Sequence, residues 1–183
     1  MDTVRPFVER TNAKLRYAAV HLGELRTYKS RGSGDEFERA HHESFLFHLL
    51  GARDAFLQEL NLHYGCDLGM DKVTAVALRE KMKASGEMSP ELEQLSELER
   101  DPQSWLSQAK TMRDHATHRT HIARTFHVAL GSPDPGTVHL KDPRSGGQSG
   151  VEVIEQFEMW LTNMQDLLNA LRTSAQGRSA STT

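Results

Sequence analysis

The chain has 183 residues, with 22 Lys and Arg against 25 Asp and Glu for a formal net charge of -3. Its pI is near 6.4 and its mean hydropathy is -0.58. That length buries a core unaided, the single cysteine excludes an internal disulfide and a multi-cysteine zinc site, and no apolar run approaches the ~20 residues that span a bilayer.

The opening residues MDTVRPFVER are charged and lack the apolar centre of a signal peptide, so a cytoplasmic protein off the membrane is expected. Domains that grip nucleic acid through its backbone usually have a pI above ~9, so any such contact here must be local.

A first helix starts near Thr3 to Pro6, since proline suits a first helical turn. It points Phe7, Leu15, Ala18, Ala19, Leu22 and Leu25 at a core, and SRGSGD (30–35) ends it. The second helix runs from about Asp35 to Tyr64. Phe45, Leu49, Ala52 and Phe56 step by four and three, and Leu46, Leu50 and Leu57 widen the stripe. Asp71 is the expected N-cap of a third helix over Lys72 to Ala84. Ser89-Pro90-Glu91 has the cap, proline and acidic first turn of a short fourth helix, and the glutamate-rich 87–100 reads as a solvated face. A fifth helix covers about Ser104 to Phe126. The stretch 127–150 is a long loop with a role or a small hairpin, with strands at Val128–Leu130 and Thr137–Leu140. A last helix spans Val151 to Arg172 with Ile154, Phe157, Leu161, Met164 and Leu168 on one face. The expected fold class is all-α: one helical bundle domain over 1–172 with four long helices and one or two short ones, then a disordered tail over 173–183.

Chemistry concentrates in MRDHATHRTHIAR (112–124). At about 100° per residue, Trp105, Ala109, Met112, Ala116, Ala123 and Phe126 form an apolar stripe, while Asp114, His118 and His121 share the opposite face. Arg119 falls beside the stripe and is expected to meet a carboxylate from another helix, with Arg53-Asp54 as a source. Three readings stand open. The face is an ordinary solvated one with an i,i+4 pair; or Asp114, His118 and His121 bind metal together with His41, His42 or His48; or Arg113 and His118 do acid–base chemistry on phosphate.

For the third reading, Arg113 and His118 bracket four residues, with the polar Asp114 directly after the arginine. In this the chain resembles the HEPN superfamily: small α-helical bundles carrying an arginine, a polar residue and then a histidine after four to six positions. The resemblance is specific only over 113–118. It implies a metal-independent endoribonuclease of the toxin or defence type, needing no cofactor, whose composite site forms where two copies of this helix meet in a homodimer. RNA and a protein antitoxin or other partner are the implied ligands. A tyrosine that often follows the histidine in active toxins has no counterpart, since Arg119 and Thr120 stand there.

The chemistry suits the residue types. Histidine moves protons near neutral pH, and arginine offers fixed charge and a bidentate fork for phosphate. The expected catalytic residues are Arg113, Asp114 and His118, with Lys110, Arg119 and His121 on substrate. The reading of a different class is a catalytically inactive helical interaction or accessory protein, and a third is a metal-binding bundle. Cys66 has no activating base nearby in sequence. Gly146-Gly147 lacks the strand–turn–helix setting of a phosphate loop.

Overall fold

The computed structural model describes residues 4–29, 35–118, 120–127 and 136–179. The α-helices are α1 (Arg5–Lys29), α2 (Asp35–His63), α3 (Ala75–Ala84), α4 (Pro90–Arg100), α5 (Trp105–His118) and α6 (Val153–Ser179); β1 (Arg124–His127) and β2 (Thr137–Leu140) make one small antiparallel hairpin. The all-α bundle expected from the sequence is the fold. No helix among the described residues is long and apolar enough to cross a membrane.

On α1, Thr11, Leu15, Ala18, Leu22 and Leu25 step by four and three and are buried. This seam lies against α2, its most extensive neighbour. On α2 the expected stripe is buried throughout, each large side chain contributing about 1.5–3 kcal/mol when removed from water. Phe45 stacks on Phe157 of α6 at 4.1 Å, and Trp160 lies beyond it.

Several expectations needed correction. Ala19 is exposed, one residue past the seam. Asp71 sits in a 3-10 turn, Met70–Lys72; the N-cap of α3 is Thr74, whose hydroxyl accepts from Ala77 N. Helix α5 ends at His118, where the Thr120 N–H bonds to the His115 carbonyl at 3.2 Å and closes the helix. It has 14 residues, so the fourth long helix is a short one. The run after it contains β-branched Thr120, Ile122 and Thr125, and switches from a helical period to a strand period. Ile122 is buried, whereas Ala123 and Phe126, placed in the core by a helical wheel, are exposed. The partner of Thr137–Leu140 is therefore Arg124–His127; Val128–Leu130 lies outside the described residues.

The last helix continues to Ser179 and does not fray at 172. Ala175 is buried, and Ser174 donates to the buried carboxylate of Glu91 at 2.6 Å. Glu91 also receives Tyr64 Oη at 2.5 Å and Ser89 Oγ at 2.8 Å. Burial alone raises its pKa, but the Ser174 and Tyr64 hydroxyls and its own backbone amide outweigh that and hold it below the usual carboxylate range. This glutamate is no solvated face. A second clasp joins the first, second and last helices: Arg172 reaches both Glu59 oxygens at 2.9 Å, and Thr11 donates to Glu59 at 2.5 Å.

Candidate functional site

The Arg113 region is built where α5 lies against α2 and α4. Arg113 donates to Asp114 at 2.8–2.9 Å and reaches Asp54 of α2 at 3.5 Å. Asp54 accepts from Arg53 at 2.8 Å; the other end of Arg53 meets Glu99 of α4, which takes Lys110 Nζ of α5 at 3.2 Å. The result is an alternating series, Asp114, Arg113, Asp54, Arg53, Glu99, Lys110, that leaves α5, crosses two helices and returns. It holds three cations and three anions. Its Arg53–Glu99 pair is the driest part, with those side chains 13% and 15% exposed, while Arg113 retains 26% and Asp54 52%. Asp54 thus supplies a carboxylate to an arginine of α5, to Arg113 where Arg119 was expected. Arg119 lies outside the described residues.

The other expected site residues are spread out. His118 is exposed in the last turn of α5, and no described contact joins it to Asp114, which turns to Arg113. His121 lies beyond the helix and approaches Glu43 of α2 at 3.8 Å. Among the described residues no group of three or more His, Cys, Asp or Glu is arranged to hold a metal ion, and Asp114, His118 and His121 do not converge. The shared helical face on which that metal set rested ends at His118.

The histidines of α2 are divided by function in the fold. His42 is buried edge-on to Phe157 at 5.5 Å, and burial pushes its pKa down to about 4. His41 and His48, seven apart, both meet His21 of α1, which sequence reading passed over. The Nδ1 atoms of His21 and His41 are 3.1 Å apart, so one donates and the other is an unprotonated acceptor. His48 stacks on His21 at 5.4 Å and lies 3.5 Å from Lys14 Nζ. Rings continue on both sides: Tyr28 on Phe37 at 3.8 Å, Phe37 by His41 at 4.2 Å, and Tyr17 and Phe47 each 5.3 Å from His48. Lys14 lies over the Phe47 ring at 4.6 Å. Its stem crosses Gly51, where a Cβ would meet Lys14 Cδ and Cε at 3.3 Å, so a glycine in mid-helix makes this seat. Burial lowers the pKa of His48, with Lys14, His21 and Arg10 adding like-charge repulsion; Lys14 is lowered by burial and Arg10. The signal for this seam was available: Lys14, Tyr17, His21 and Tyr28 are spaced by three, four and seven along α1, so they share one face.

Two clefts lie elsewhere. One of about 230 Å³ between α3 and α4 is lined by Met82, Met88 and Leu92 with Arg79 and Glu93. One of about 430 Å³ between α1 and α6 is lined by Asn12, Arg16, Gln165, Asp166 and Asn169. Cys66 is buried, which raises its pKa and keeps it a thiol. Gly146, at φ +68°, turns the segment that lays Arg144 against Asp142 and the Pro102 carbonyl.

A family model, described as a family of unknown function (DUF6586), matches residues 6–177. The chain belongs to the DUF6586 family. The match takes in all of α2 to α5, the hairpin and nearly all of α1 and α6, so the charged series and the ring seam both fall within the DUF6586 region. No curated protein and no solved structure matches the chain.

Proposed function

We propose that this protein is a catalytically inactive helical binding protein. The observation that carries the reading is the closed ion-pair series at Arg113. An arginine that stabilises a phosphorane must offer its charge to the substrate, and this one already faces Asp114 and Asp54. An incoming phosphate displaces one of these carboxylates or sits beside it, and like-charge repulsion opposes either arrangement. The test is incubation of a mixed RNA pool with the folded protein in EDTA. No cleavage by the wild type is expected.

A second reading has its own support. Arg113 keeps a quarter of its side chain in solvent and His118 is exposed on the same helix. A homodimer joining two such helices brings an acid–base group and a cation to one phosphate without any metal. Products ending in 2′,3′-cyclic phosphate, lost in both Arg113→Ala and His118→Ala, would establish that ribonuclease and overturn the first reading.

A further inference from the structure

We infer that the ring-lined edge of the α1–α2 seam binds single-stranded nucleic acid, with Tyr17 and Phe47 as stacking surfaces and Lys14 and Arg10 as phosphate contacts. The inference rests on the binding-protein reading and gives it a partner.

Charge is the first support. Helix α1 holds six Lys and Arg (Arg5, Arg10, Lys14, Arg16, Arg26, Lys29) and two glutamates (Glu9, Glu24), a net of +4 in a chain whose total is -3. This is the local basic element that an acidic protein needs if it is to meet a polyanion. Among the described residues, Arg5 pairs with Glu9 and Arg26 with Glu158. Lys14 instead faces His48 and Phe47, and both it and His48 feel the positive charge of Arg10.

Exposure is the second support. Tyr17, Val20 and Phe47 are 44%, 59% and 55% exposed, large apolar side chains left in water beside those cations. Aromatic rings interleaved with cations are what a flexible strand of stacked bases and phosphates recognises, whatever its sequence. A duplex keeps its base faces stacked on one another and leaves only groove edges, sugars and phosphates to a protein, so it cannot stack on Tyr17 and Phe47. The occupant is therefore single-stranded.

The third support is the imidazole group between the rings. His21 and His41 touch through Nδ1, with His48 stacked on His21. Burial is the main cause that holds the pKa of His21, His48 and Lys14 down, and Arg10, Lys14 and the neighbouring histidines add to it, while Glu24 favours the charged form of His21 and Asp54 that of Lys14. A phosphate lying along the seam offsets the repulsive part, so binding draws protons onto His21 and His48. Affinity then rises as pH falls toward 6.

The experiment is fluorescence anisotropy of the full chain with a labelled oligothymidylate of about twelve nucleotides, a length within the span of common single-strand sites. DNA lacks the 2′-hydroxyl that a metal-independent ribonuclease would use. Binding is therefore read independently of the nuclease question, and a parallel gel with oligouridylate in EDTA reads cleavage alone. Expected are saturable binding near ~50 mM salt that weakens steeply with added salt, and a several-fold tighter Kd at pH 6 than at pH 7.5. The Tyr17→Ala/Phe47→Ala double variant should weaken binding by at least about tenfold, as loss of base stacking does. Phe126→Ala, which removes an exposed ring on the hairpin, should leave it unchanged. Circular dichroism confirms that the variants fold. Three results overturn the proposal: no binding by the folded wild type, an affinity unchanged in the double variant, or equal affinity for a duplex of the same length. Oligouridylate cleavage sinks the inactive reading and leaves the oligothymidylate result to decide the face.

Discussion

Helix α2 carries a charged seam on each of two sides, and the two are built on opposite plans. Toward α4 and α5, Arg53 and Asp54 enter a series in which every cation has an anion beside it. Toward α1, His41 and His48 join His21 and Lys14, groups that repel one another as soon as they are protonated. The first arrangement satisfies itself and presents little net field. In the second, burial and then like charge lower the pKa values of His21, His48 and Lys14, and aromatic surface is left in water, the arrangement that the proposed single strand would complement. Density of titratable residues therefore does not mark the reactive place. The sign and pairing of those residues do.

The largest expected effect comes from breaking the compensated side. Glu99→Ala leaves Arg53, nearly buried, with only the half-exposed Asp54 for a partner and strips Lys110 of its carboxylate, and should destabilise the protein by about 2–4 kcal/mol in urea unfolding. Replacing both partners, Arg53→Met with Glu99→Leu, should recover most of that loss. A loss under about 0.5 kcal/mol for the single variant, the size of an ordinary surface substitution, would mean the series is hydrated and inert.

Next in size is acid sensitivity. His42 titrates near 4 in the folded chain against 6.5 when unfolded. Because the folded value is depressed, its stabilising contribution is complete above 6.5 and drains away as pH falls from 6.5 to about 4. The full loss is about 3 kcal/mol. Urea midpoints across that window should fall with pH, and His42→Leu should flatten the slope. A slope unchanged in the variant would assign the acid loss to other groups, with His21 and His48 first in line.

Arg113→Ala should cost about 1 kcal/mol, because the arginine is partly exposed and its carboxylates can rehydrate. The smallest effect is expected at Gly51→Ala. The gain in helix propensity of about 1 kcal/mol is offset by displacing the Lys14 stem, so unfolding should hardly change. What should change is the lysine itself, which NMR should find moved off the Phe47 ring.

Much of this molecule was legible before its fold was known. The stripe of α2 and the Ser89-Pro90 start of α4 follow from spacing and cap chemistry that act within a few residues, whereas for 137–140 the sequence left loop and strand both open. The end of α5 was misread because a helical wheel extrapolates, and Ala123 and Phe126 fit its apolar stripe by coincidence. Only pairing with Thr137–Leu140 decides against it, and that pairing is not local. The same reason hid the better site. Arg113 was visible as a residue, but its pairing with Asp54 belongs to the packing of two helices. Likewise His21 acquires meaning only when α1 lies against α2 and brings it to His41. Glu91 and Glu99 sit in an acidic run that resembles surface, and donors from other helices make them internal.

The clasp between Glu59, Thr11 and Arg172 has a consequence for biosynthesis. Glu59 sits 4% exposed, and the arginine that neutralises it lies 113 positions further along the chain. At about 5–20 residues per second, translation leaves roughly 6–23 s between the two. Through that interval Thr11 of the first helix can reach the carboxylate but no guanidinium can, so full neutralisation of this acid waits for the last helix to dock on the first two.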